Sequence, residues 1–168
     1  MPTLIAPHFS LEELTVTQQR DKSGNIMRND PDPDSLCNLK LLANTMLEQI
    51  RTLWDCPMRV NSAFRCEAVE IKVSGKAYGQ HMLGQAADIV PISRAKHLSI
   101  KQAYEMIWKS TLPYDQLLLE MAGEAVWIHV SIAKAGATPR RQALFTPDTK
   151  KWIVYDPSLV PDTGALVA

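Results

Sequence analysis

The stretch DQLLLEMAGEAVWIHVSI, residues 115–132, decides the architecture. Successive side chains of a strand point to opposite sides. Val126, Ile128, Val130 and Ile132 therefore form one aliphatic face, which must turn to a core. Ala125, Trp127, His129 and Ser131 form the other. The preceding run divides in the same way, with Gln116, Leu118 and Glu120 on one side and Leu117 and Leu119 on the other. A turn around "MAGE" joins the two, so the stretch predicts an antiparallel hairpin. Pairing Glu120 with Trp127 leaves a six-residue loop and sets Glu120 diagonal to His129, within about 7 Å. A four-residue loop pairs Glu120 with Ala125 instead and moves it away from His129. Glu124, in the turn itself, reads as solvated.

Working outward, "FSLEEL" carries Ser10 and Glu13 at capping-box spacing and starts a short helix. "DKSGNIMRNDPDP" is turn material. Leu36, Leu39, Ala43, Met46, Leu47, Ile50 and Trp54 recur at helical spacing and predict a helix from about 34 to 54. "PMRVNSAF" is β-leaning, "RCEAVEIKVSGKAYGQH" reads as a long loop, and "AADIV" as a buried strand. Ser99 with Gln102 caps another helix that ends before Pro113. "KKWIVYD" fits a late strand. Helices and antiparallel strands mixed in this order give a single α+β domain over residues 1–156, an antiparallel sheet with flanking helices, and a loose C-terminal tail over 157–168.

Composition bounds the partners. The 168 residues carry 18 basic and 18 acidic side chains. That balance supplies no field to draw the chain onto nucleic acid. No stretch approaches the roughly 20 apolar residues of a membrane span. Three cysteines, Cys37, Cys56 and Cys66, contain no C-x-x-C pair, which argues against a disulfide framework or a thiolate zinc site. They read as small buried hydrophobes, with Cys66 close to whatever Arg65 does. "MPTLIAPHFS" has no basic n-region, so no signal peptide is read.

"GQHMLGQAADI", residues 79–89, places His81 and Asp88 seven positions apart around a bland turn. With His129 on the non-core face of a strand, the chain offers two imidazoles and a carboxylate. Such a set with one open position matches a catalytic zinc site. Glu120 then supplies the proton-transfer group that zinc-assisted amide hydrolysis requires. The pattern is not H-E-x-x-H. Each residue also has a plainer reading: His81 in a polar loop, Asp88 at a strand end, Glu120 as a solvated hairpin residue. Arg65 reads either as a surface arginine or as a bidentate clamp for a substrate carboxylate. His8 and His97 have no partner at useful spacing and read as surface residues, and Arg140 and Arg141 as solvated.

"HFSLEELTVTQ", "NLKLLANTMLEQIR", "VNSAFRCEAVE", "GQHMLGQAADI", "YDQLLLE" and "VWIHVS" follow one another in that order across residues 8–135. In this combination the chain resembles the zinc D-Ala-D-Ala carboxypeptidase and L-Ala-D-Glu endopeptidase family, whose fold is shared with the Hedgehog signalling domain. The resemblance implies that His81, Asp88 and His129 hold Zn2+ and that Glu120 is the catalytic carboxylate. It places Arg65 and Ser62 at the substrate, with Trp127 as a cleft wall. Three positions depart from the family pattern: Val126 where many members carry the glutamate, Gly79 where serine is common, and Glu70 where asparagine is common. The longer turn after Glu120 keeps Glu124 as a second candidate base. The implied substrate is the stem peptide of bacterial peptidoglycan, cut by a monomeric phage or prophage endolysin. Such a lysin is made in the host cytoplasm and reaches the wall through a holin. A D-Ala-D-Ala carboxypeptidase, a virion-associated enzyme and a non-catalytic zinc-stabilised binding module are the alternatives.

Overall fold

The computed structural model describes residues 2–92 and 98–160. Two short strands, β1 (Leu4–Ala6) and β2 (Phe9–Ser10), form a small ribbon ahead of α1 (Leu11–Thr15). Ser10 caps α1, its hydroxyl accepting the Glu13 amide at 3.1 Å. The long helix expected over 34–54 forms as α2 (Pro33–Leu42), a π-helical turn (Ala43–Leu47) and α3 (Glu48–Trp54) in unbroken succession. It starts where Asp32 accepts the Ser35 amide with Pro33 in the first turn. Its apolar stripe, Leu39, Leu42, Ala43, Met46, Leu47, Ile50 and Trp54, is fully covered.

Six strands make the main sheet: β3 (Met58–Ser62), β4 (Ala86–Pro91), β5 (Gln116–Ala122), β6 (Ala125–Ser131), β7 (Gln142–Thr146) and β8 (Ile153–Val154). Their order is β3-β4-β6-β5-β7-β8, antiparallel except for the parallel β5–β7 pair. Among the described residues two further helices, α4 (Glu67–Ser74) and α5 (Ile100–Lys109), contribute to the α+β architecture. Val60, Ala87, Ile89, Leu117, Leu119, Ile128 and Val130 join the stripe of α2–α3 and the Ala103, Tyr104 and Ile107 face of α5 in one core. Polar groups caught in that core are paired: Trp54 Nε1 donates to the Ala103 carbonyl at 2.9 Å, and the Tyr104 hydroxyl reaches the Leu117 and Leu144 carbonyls.

Several expectations need correction. The segment read as a loop over 65–81 contains α4. This helix buries only Val69 and Glu70 and leaves Ile71 and Val73 about half exposed, so it has no apolar stripe for a periodicity reading to find. Its only clear signal is Gly75, which closes it in the left-handed region at φ 74°. β7, paired parallel to β5, was not anticipated. Cys37 is exposed, and Cys56 and Cys66 are half-buried. His8 is held by Glu48 through its amide and Nδ1, both at 2.8 Å, and His97 lies outside the described residues. Of the C-terminal stretch read as a tail, Val160 is buried and its carbonyl, with that of Pro157, accepts from Lys101. Residues 161–168 lie outside the described residues. Among the described residues no helix is long and apolar enough to cross a membrane.

Candidate metal centre

The hairpin closes more tightly than either sequence reading allowed, yet in the register of the first. Glu120 faces Trp127, and pairing continues through Met121–Val126 to Ala122–Ala125, leaving Gly123 and Glu124 as a two-residue turn. Gly123 takes φ 61°, the left-handed conformation that such a turn needs at its first position. β4 lies on the other side of β6, with Asp88 directly opposite His129. Asp88 and His129 therefore share one face of the sheet, and Glu120, opposite Trp127 two residue pairs farther along the hairpin, shares that face.

His81 reaches the same face from a loop that is fastened on several sides. The Gly84 amide donates to the His81 carbonyl and the Gln85 amide to the Gln80 carbonyl. Ser35 and Asn38 of α2 donate to the carbonyls of Met82 and Leu83. Gly84, at φ 67°, passes so close to α2 that a Cβ there would lie 2.3 Å from the Ser35 carbonyl oxygen. On the other side Gln80 donates to Asp115 at 2.9 Å. Asp115 is itself clamped by the amide, Nε and Nη2 of Arg140. Arg140, read from sequence as solvated, is thus half of a buried-end ion pair that steadies the loop before His81.

The three side chains converge. His81 Nε2 lies 3.1 Å from His129 Nδ1 and 3.3 Å from Asp88 Oδ1, and His129 Nδ1 lies 3.0 Å from the same oxygen. All three residues are buried. His81 Nδ1 sits 2.6 Å from the Ala63 carbonyl, which can only accept, so Nδ1 carries the proton and Nε2 presents a lone pair. A lone pair facing a carboxylate oxygen at this distance requires a cation or a proton between them. A tetrahedral ion with bonds of about 2.0–2.1 Å needs donors about 3.3 Å apart, close to the separations found. The cluster is the set of His, Cys, Asp or Glu residues among those described that could hold a metal. Burial opposes ionisation of Asp88, but the neighbouring His81 and His129 outweigh it and hold the carboxyl well below its ordinary range.

Around this triad stand the other predicted residues. Arg65 directs Nε to Ser62 Oγ (2.8 Å), Nη2 to Asp88 Oδ2 (2.5 Å) and Nη1 to Glu70 Oε2 (3.3 Å). Asp88 is thereby held with one oxygen on arginine and the other toward the imidazoles. Glu70, only 5% exposed, was noted in the sequence solely as a departure from a family pattern. Nothing in the spacing points to its contact with Arg65, since it sits on the unforeseen α4. Glu120 is half-buried, and its pKa is pushed up to about 7, by burial first and by the charge of Asp88 second, against the pull of His129 and Arg65. Trp127 is half-buried opposite it. Glu124 is exposed at the hairpin tip.

The family profile described as peptidase M15 matches residues 7–131, about three quarters of the chain. The chain belongs to the peptidase M15 family. M15 peptidases are zinc-dependent, and the His81, Asp88 and His129 donors fit that ion in number, type and spacing. The protein is accordingly a zinc-dependent peptidase. No curated protein sequence matches the chain significantly.

Proposed function

We propose that this M15 peptidase hydrolyses an amide bond in the stem peptide of bacterial peptidoglycan, as an L-Ala-D-Glu or related endopeptidase of phage or prophage origin that acts on the cell wall. The observation that carries the reading is Glu120, a half-buried carboxylate on the sheet face that also presents Asp88 and His129. A structural zinc site has no use for such a group, whereas zinc-assisted amide hydrolysis needs a proton carrier beside the donor set.

In this reading His81 Nε2, His129 Nδ1 and Asp88 Oδ1 would hold Zn2+, which when bound would supply a Lewis acid able to bring the pKa of water to about 7. Glu120 takes a proton from the attacking water and returns it to the departing amine, so the carboxylate ends the cycle as it began. Arg65 orients Asp88 through the bond from Nη2 to Oδ2. A guanidinium has five N–H groups, of which three are committed to Ser62, Glu70 and Asp88. Two therefore remain to meet a substrate carboxylate or carbonyl. Trp127 lines the cleft beside Glu120.

Mass spectrometry of fragments released from purified peptidoglycan by the zinc-loaded protein, against an EDTA-treated control, tests the assignment. New amino termini inside the stem peptide, appearing only with metal, are expected and name the bond. Release of free D-Ala alone makes the protein a carboxypeptidase. No metal-dependent product from several wall types overturns the peptidoglycan assignment.

A further inference from the structure

Arg65 and Ser62 also line a second feature, a groove of about 430 Å3. One wall is the Val16–Gln19 segment that follows α1, the other is α4 through Val69 and Val73, and β3 contributes Arg59 to Ser62. Among the described residues β3 is an edge strand, paired to β4 on one side only. An open edge inside a groove is the geometry in which an extended peptide is received by strand addition, its main chain bonded to the strand and its side chains read by the walls. The Phe64 amide just beyond β3 is already taken by the Leu14 carbonyl at 2.9 Å, which leaves Arg59–Ser62 as the usable length.

Charge narrows the class of guest. Among the described residues the groove is lined by two arginines and no carboxylate; its remaining residues are apolar, amide or hydroxyl. Arg65 spends most of its charge on Glu70 and Asp88. Arg59 is different. It is exposed, its Nε donates to Asn61 Oδ1 at 2.9 Å, and among the described residues its two terminal nitrogens have no partner. An unengaged guanidinium fork is suited to a carboxylate. The groove meets the metal centre through Arg65, whose Nη2 holds the donor Asp88.

We propose that this groove binds an extended, carboxylate-bearing segment of the peptide substrate, laid along the edge of β3 with its carboxylate on Arg59. The inference rests on the peptidase reading above and adds to it a specificity-determining residue outside the donor triad and the Glu120 region.

Two synthetic stem peptides provide the test, one with the glutamate carboxylate free and one with it amidated. KM and kcat are measured for the zinc-loaded wild type, Arg59→Gln and Arg59→Lys. Arg59→Gln is expected to raise KM for the acidic peptide about tenfold with kcat within twofold. The amidated peptide should show the raised KM with wild type and variant alike, and Arg59→Lys should recover part of the loss. Equal KM for wild type and Arg59→Gln on the acidic peptide overturns the groove assignment and leaves the peptidase reading standing. If the wild type hydrolyses neither peptide, that reading fails by itself. Calorimetric binding of the acidic peptide then decides the groove: weakening in Arg59→Gln supports it, and equal or absent binding to the wild type overturns it.

Discussion

Glu120 gives the sharpest predictions at the scale of single residues. Glu120→Ala should keep one equivalent of zinc and an unchanged fold while losing 10²–10⁴-fold in kcat, the usual worth of a positioned proton carrier; turnover near the wild-type rate moves the role to Glu124. The same residue sets a pH dependence in the zinc-free protein. Its folded pKa of about 7 lies above the ordinary 4.5. The stability it contributes is therefore complete below the unfolded value and is lost as pH rises through about 7, roughly 3 kcal/mol in all. Asp88 is shifted the opposite way, so its contribution fails only in more acid solution. Urea unfolding of zinc-free wild type should weaken by about 2 kcal/mol more than Glu120→Gln between pH 5.5 and 8.5. Parallel pH profiles for the two proteins would remove the raised pKa from the argument. Glu70 offers a third test. Removing it leaves Arg65 with one carboxylate instead of two, so Glu70→Ala should loosen Asp88 and weaken zinc binding about tenfold or more in a chelator competition, as loss of an outer partner does. Glu70→Gln, which can still accept from Nη1, should bind zinc close to normally.

At the scale of elements, the hairpin and the His81 loop were legible to different degrees. Alternation in "AVWIHVSI" assigned both faces of β6 because one face is aliphatic throughout and the other is not. The register with Glu120 opposite Trp127 was one of two open readings, and the tight Gly123–Glu124 turn selected it. α4 was illegible because it packs through two residues and exposes its other apolar ones. β7 was missed because its parallel partner β5 lies more than twenty residues away, and no local pattern announces such a pairing. The loop between His81 and β4 depends on Gly84 for both its φ of 67° and its closeness to Ser35. Gly84→Ala should cost about 2–4 kcal/mol through strain and displacement of α2, and zinc affinity should fall with it because His81 rides on that loop. Urea titration paired with zinc titration would detect either loss; an unaltered variant would mean the loop is not seated as described.

Across the whole molecule, the metal centre ties together three regions that are distant in the chain: the loop after α4, strand β4 and strand β6. Binding one ion to groups brought together only by folding stabilises the folded state by mass action. Zinc at a thousandfold excess over its dissociation constant should raise Tm on the order of 10 °C, EDTA should reverse the shift, and His129→Ala should abolish it. A Tm indifferent to zinc would contradict the site. The sequence by itself determined the α+β class and the core faces of the long helix and of β6, which follow from local periodicity. It offered His81, Asp88 and His129 only as candidate donors, each with a plainer reading beside it, and the family resemblance rather than their spacing joined them into one set. Only the tertiary structure decided that Asp88 stands opposite His129, that His81 offers Nε2 because Ala63 takes its other nitrogen, and that Arg65 divides its fork between Asp88 and Glu70. Those relations depend on strand neighbours and packed helices far apart in the chain, and periodicity carries no information about which distant surfaces will meet.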